Sequence, residues 1–169
     1  CYLSNKSDVD LQRLSEIVDD LNRRVLKEDF PKGFIEELYS PANELHITCE
    51  DRVFYTQTNA KRLDNYRRLI ESLPPREKVL LLGPLLSKAS IHANTAGVFK
   101  GFYKDSKTGI GKFGGSGSDA LTRIRGEIRL EVPVLSNFEC DFKVFQEDST
   151  ALSSRINSVD LSYAVQRPR

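Results

Sequence analysis

The hydrophobic period changes along this 169-residue chain, and that change limits its fold more than any other feature. Leu11, Leu14, Val18, Leu21 and Val25 recur at spacings of three and four, which places them on one stripe of a helix from Asp8 to Glu28. Phe30, Pro31, Lys32 and Gly33 break it, since proline has no backbone donor and glycine favours turns. A second helix is expected to open at Thr58 as its cap and to run through Leu63, Tyr66, Ile70 and Leu73 to the stop at Pro74 and Pro75. A third, from Arg76 to about Val98, is apolar at Val79, Leu80, Leu81, Leu82, Leu85 and Leu86. It reads as central to the core, kinked or shortened at Gly83 and Pro84.

Six of the ten glycines then fall between Gly101 and Gly117, the composition of a loop or an open hairpin. Beyond it the period drops to two. Ile128, Leu130, Val132 and Val134 alternate with Glu127, Arg129 and Glu131 as in a half-buried strand, with Pro133 placing it at an edge. Phe138, Cys140, Phe142 and Val144 repeat the alternation, a short helix is expected over Thr150 to Ile156, and Val159, Leu161 and Tyr163 read as one more strand. Strand, short crossover and strand predict part of an α/β sheet. The chain thus divides into a helical region over 1–98, a glycine-rich basic loop over 99–125 and a strand-rich region over 126–169.

Composition narrows the function. With 39% apolar and 29% charged residues the chain suits one ordinary globular domain. No run approaches the roughly 20 apolar residues of a membrane span, and no short apolar segment follows a basic start as in a secretory signal, so neither a membrane nor a secreted protein is expected. Cys1, Cys49 and Cys140 are three, scattered and unpaired by any CxxC, with two histidines beside them, so reduced thiols, a cytoplasmic setting and no metal are expected. Charge is uneven: residues 1–51 hold 12 acids against 6 bases, whereas residues 52–118 hold 12 bases against 4 acids. Lys100, Lys104, Lys107 and Lys112, interleaved with aromatics and glycines, suit a phosphate backbone, although a solvated face gives the same count. Gly109, Gly111 and Gly114 spell the dinucleotide spacing GxGxxG, but polar residues and not an apolar strand precede them, so a basic loop is the better reading. His46 and His92 read as structural. Asp148, at the end of an expected strand, lies where α/β sheets bind ligands and equally where a helix from Thr150 needs a cap.

Two segments carry a family resemblance. The run IHANTAGVFKGFYKDSKTGIGKFGGSGSDALTRIRGEIRLEVP, Ile91 to Pro133, resembles the central region of Dam-related adenine-N6 DNA methyltransferases. FYTQTNAKRLDNYRRLIESL, Phe54 to Leu73, is similar to that family's segment Y/F-F-T-x-x-N-A-x-R-x-D-x-x-R. With the expected strand and acid at Val144 to Asp148, the resemblance covers about two-thirds of the chain, Phe54 to Tyr163.

The resemblance implies a partial Rossmann-like sheet with the helical and glycine-rich regions inserted in it. It implies S-adenosylmethionine as cofactor, with Asp148 accepting from the donor's adenine. It also implies double-stranded DNA as partner, with Lys100, Lys104, Lys107 and Lys112 along it and the target adenine flipped from the duplex. The family's Asp-Pro-Pro-Tyr loop should follow Tyr163, where the sequence reads AVQRPR, and its FxGxG motif should precede the first helix. Since the chain also begins at Cys1 and has no methionine, it is expected to be the middle of a site-specific methyltransferase of the restriction-modification kind, lacking its first strand and catalytic loop and inactive alone. A frame slip after Tyr163 would account for the tail, because Pro-Pro-Tyr-Asn-Ala-Arg in GC-rich codons, read two bases later, gives the Ala-Val-Gln-Arg-Pro of Ala164 to Pro168. The alternative is a noncatalytic DNA-binding or protein-interaction module.

Overall fold

The first helical stripe folds as its spacing demands. Helix α1, Leu11–Lys27, begins where the Asp10 carboxylate accepts the Arg13 N–H at 2.9 Å, and it buries Leu14, Val18, Leu21 and Val25. The computed structural model describes residues 8–95, 101–115, 119–135 and 145–155. Its chain forms two compact units, Cys1–Phe138 and Glu139–Arg169.

Helix α2, Phe34–Tyr39, has no counterpart in the sequence pattern, because six residues are too few to show a period. Its cap comes from elsewhere in the chain: the Asp64 carboxylate accepts the Ile35 and Glu36 N–H groups at 3.1 and 2.8 Å. Helix α3, Gln57–Glu71, starts before the expected Thr58, since Thr56 is the residue whose hydroxyl accepts the Asn59 N–H, at 3.2 Å. Helix α4, Pro75–His92, opens on proline, where no donor is needed, and carries Pro84 inside it. It ends at His92 and not near Val98, with the Arg123 guanidinium donating to the carbonyl of Ile91 in its last turn and to those of Ala93 and Thr95 beyond it. Helix α5 is Asp119–Arg125. In the second unit α6, Ser149–Ser153, is capped by Asp148.

Helix α3 is the hub of the first unit and packs on α1, α2 and α4, while α4 also packs on α5. The core joins the α1 stripe to Leu63, Tyr66, Leu69 and Ile70 of α3, to Leu80, Leu81 and Leu85 of α4, and to Ile128, Leu130 and Leu135. Only one side of α4 is central. Val79 and Leu86 are 62% and 68% exposed, because the apolar run spans more of the helix girth than one packing face can cover.

The expected α/β sheet, a partial Rossmann-like one, is not what the described residues form. No strand and no sheet form among the described residues, whose β pairing is limited to two isolated antiparallel bridges, Thr95 with Phe102 and Lys104 with Gly111. The alternation over 127–131 is real: Ile128 and Leu130 are buried while Glu127, Arg129 and Glu131 are exposed. Helix side chains, however, occupy the place of a neighbouring strand. Asn22 of α1 donates to the Leu130 carbonyl at 3.0 Å and accepts its N–H at 3.1 Å. Asn59 of α3 accepts the Ile128 N–H at 3.0 Å, and Arg62 donates to the Ile128 carbonyl at 3.0 Å. Two carboxamides and a guanidinium thus satisfy the backbone that a strand partner would otherwise satisfy. A period of two reports which face is buried and is silent about what fills the hydrogen bonds. Residues 136–144 and 156–169, which hold most of the other two expected strands and the AVQRPR tail, lie outside the described residues.

Candidate nucleic-acid interface

The basic loop folds as a hairpin around a turn that Asp105 organises. Its carboxylate accepts the N–H groups of Lys107 and Thr108 at 3.0 Å, and Gly109 donates back to the Asp105 carbonyl at 2.9 Å. The Thr108 and Lys107 N–H bonds, in that order, hold the Asp105 carboxyl below the usual range. The stem is closed by Asp105 N–H to Ile110 at 2.8 Å and by Lys112 N–H to Tyr103 at 2.9 Å. The GxGxxG glycines belong to this hairpin. Gly109 takes φ +71°, the left-handed position of the turn. Gly111 is buried where a Cβ would collide with Val53 and Phe102. The sequence also spells Phe-x-Gly-x-Gly over Phe113 to Gly117, of which Phe113 to Gly115 are among the described residues and follow the hairpin stem.

Asn94 fixes the hairpin to the body of the unit. Fully buried just past α4, its amide nitrogen donates to the carbonyls of Val53 at 2.6 Å and Lys112 at 2.8 Å, and its oxygen accepts the Gly114 N–H at 2.9 Å. Its own backbone N–H bonds Phe54 at 2.8 Å. One side chain thereby joins three separate segments. Nothing in the sequence around Asn94 marks it, since its partners lie 18 to 41 residues away.

The expected basic residues fall into place unevenly. Lys104 and Lys107 are exposed and Lys112 is half-buried, while Lys100 lies outside the described residues. Lys104 and Lys112 lie on the stem and Lys107 in the turn, so the hairpin carries three of the four expected cations. Asp148 belongs to the second unit, where its Oδ1 accepts the N–H groups of Thr150 and Ala151 at 3.0 Å as a helix cap. His92 is structural, its Nδ1 2.7 Å from the Arg123 carbonyl, which obliges that nitrogen to carry the proton. Among the described residues no three His, Cys, Asp or Glu side chains gather as a metal would need, and no helix is long and apolar enough to cross a membrane.

The motif residues of Phe54 to Leu73 act on the backbone. Thr56 caps α3, Asn59 holds the carbonyls of Ile124 and Gly126 at 3.2 and 2.8 Å, Arg62 holds Ile128, and Asp64 caps α2. Arg67 pairs with Glu71 on the surface. The polar side chains of that pattern therefore hold α2, α3 and residues 124–128 together, and its first residue, Phe54, accepts the Asn94 N–H through its carbonyl.

No protein-family model matches the sequence, and no solved structure matches it. The chain spans 30% of the length of the curated relative it matches. Over 111 residues, 63% of this chain, it is 32% identical to the type II methyltransferase M.CviAII of Paramecium bursaria Chlorella virus 1, and its sequence thus resembles that of a methyltransferase.

Proposed function

We propose that this chain is part of an enzyme that transfers a methyl group from S-adenosylmethionine to the N6 amino group of adenine in double-stranded DNA. The observation that carries this reading is the 32% identity to a type II methyltransferase. It is supported by a hairpin that presents Lys104 and Lys107 to solvent. In this reading Lys100, Lys104, Lys107 and Lys112 take phosphates, which position the duplex without reading its sequence. The proposed setting is cytoplasmic.

Asp148 is the residue proposed to meet the donor. Both of its cap bonds use Oδ1, which leaves Oδ2 to accept from the donor's adenine amino group, so the side chain can cap and bind at once. S-adenosylmethionine supplies the electrophilic methyl group. The family's Asp-Pro-Pro-Tyr loop, which would hold the target amino group, occurs nowhere in these 169 residues.

The chain alone should therefore leave unmethylated DNA unmethylated. Labelled methyl incorporation above a no-protein control would place the chemistry in residues not named here. Duplex binding should weaken steeply with salt as counterions are released. Replacing the four lysines with Ala should flatten log K against log salt by about 0.9 for each phosphate that is no longer neutralised. An unchanged slope would make the hairpin a solvated loop. A donor titration separates the noncatalytic module from the enzyme part, since the module gives no donor-dependent signal.

A further inference from the structure

Four aromatic rings stand in a row outside the core. Phe34 and Tyr39, at the two ends of α2, have ring centroids 5.6 Å apart. Tyr39 and Phe54 are also 5.6 Å apart, and Phe54 meets Phe102 of the hairpin edge to face at 5.1 Å. Phe34 is 63% exposed, and the other three are half-buried. Two cations lie against this row: the Arg52 guanidinium is 5.8 Å from the Tyr39 centroid, and Lys104 Nζ is 5.3 Å from that of Phe102. Both cations are exposed, and neither is engaged by a carboxylate among the described residues.

Apolar rings in series beside exposed cations are how proteins hold a nucleic-acid strand whose bases are unpaired, with bases on the rings and phosphates on the cations. A duplex hides its base faces in the stack, so only an opened strand can use the rings. Nearby carboxylates set the polarity. Asp51 and Asp105 stay ionised with their oxygens turned to the N–H groups of Ala42 and Thr48 and of the hairpin turn, Glu50 is exposed two residues before Arg52, and Glu36 and Glu37 stand on α2 beside Phe34. Glu36 and Glu37 repel phosphate at the Phe34 end, and the two cations that lie against the rings, Arg52 and Lys104, are the groups able to receive it. We propose that Phe34, Tyr39, Phe54 and Phe102 form a stacking platform for unpaired bases of single-stranded DNA, with Arg52 and Lys104 taking the adjoining phosphates. The proposal rests on the DNA reading above and adds a second, single-strand surface to it.

The test compares three fluorescent probes by anisotropy: a single strand of about 12 nucleotides, within the usual site sizes, an abasic strand of equal length and charge, and a duplex. The base-bearing strand should bind more tightly than the abasic one. Phe34→Ala should weaken it by roughly 5-fold or more, the scale of a single base stack, and leave the abasic strand unchanged. Because Phe34 is largely on the surface, its variant should melt like the parent. Arg52→Ala should weaken both single strands. Equal affinity for the base-bearing and abasic strands, or no effect of Phe34→Ala, overturns the platform. If the duplex still binds with a steep salt slope, the DNA reading survives that failure. Binding to none of the three probes overturns both.

Discussion

Replacing Asn59 with Ala should bring the first unit close to unfolding. This side chain is 1% exposed and serves three backbone groups of one segment: it accepts the Ile128 N–H and donates to the carbonyls of Ile124 and Gly126. Its own N–H is taken by the Thr56 cap, so the amide is fixed at the start of α3. Alanine leaves those three groups without partners in a setting that excludes most water, at about 1 to 3 kcal/mol for each group that stays unsatisfied. A total loss of about 3 to 5 kcal/mol is expected, a large part of the roughly 5 to 15 kcal/mol that ordinary domains possess. Asn59→Asp should be no milder. It keeps the acceptor for Ile128, removes both donors and sets a carboxylate against two carbonyl oxygens. Urea melts followed by far-UV circular dichroism decide the matter, the chain having no tryptophan to report on. A loss below about 1 kcal/mol would mean that residues 124–128 are held by other contacts.

This prediction also shows why the fold was only partly legible in the sequence. The α1 stripe and the α3 pattern could be read because a helix with one buried face must repeat its apolar residues every three or four positions. Helices α2 and α5 could not, being 6 and 7 residues long, and α2 depends on a cap lent by Asp64 of α3. The sheet was misread for a more instructive reason. Ile128 and Leu130 do alternate with charged neighbours, but the partners of their backbone are Asn22 and Asn59, and nothing local distinguishes a strand paired to a strand from one paired to carboxamides. The lysines of the hairpin were visible as a cluster. The residue that orients them, Asn94, was not, because its role exists only once Val53, Lys112 and Gly114 have been brought to it. The motif over Phe54 to Leu73 was conspicuous, yet its residues prove to hold backbone together.

The second large effect is expected at Gly33, through a contact and not through its own backbone. Its φ of −105° is open to any residue, so conformational freedom is not what the position requires. What it requires is the absence of a Cβ, which would overlap the Cβ and carboxyl group of Asp64. Asp64 is 8% exposed and is held there by its bonds to the Ile35 and Glu36 N–H groups. The chain cannot simply draw back, because Arg68, one turn along α3, donates to the carbonyls of Pro31 at 2.6 Å and Lys32 at 3.4 Å. Gly33→Ala should therefore destabilise the unit by about 2 to 4 kcal/mol, an overpacking cost plus a weakened α2 cap. Asp64→Ala alone should cost about 1 to 2 kcal/mol by removing that cap. In the double variant Asp64→Ala removes the carboxyl part of that overlap and keeps its own Cβ 2.5 Å from the new methyl group, so the relief is partial. The double variant's loss should fall short of the sum by about 1 to 2 kcal/mol, the signature of two residues in direct contact. Additive losses in denaturant melts would show that the strain at position 33 does not arise against the Asp64 carboxyl group. Helix α2 also sets the spacing between Phe34 and Tyr39, so the Gly33→Ala variant, even at temperatures where it stays folded, should bind the base-bearing single strand more weakly and the abasic strand as before.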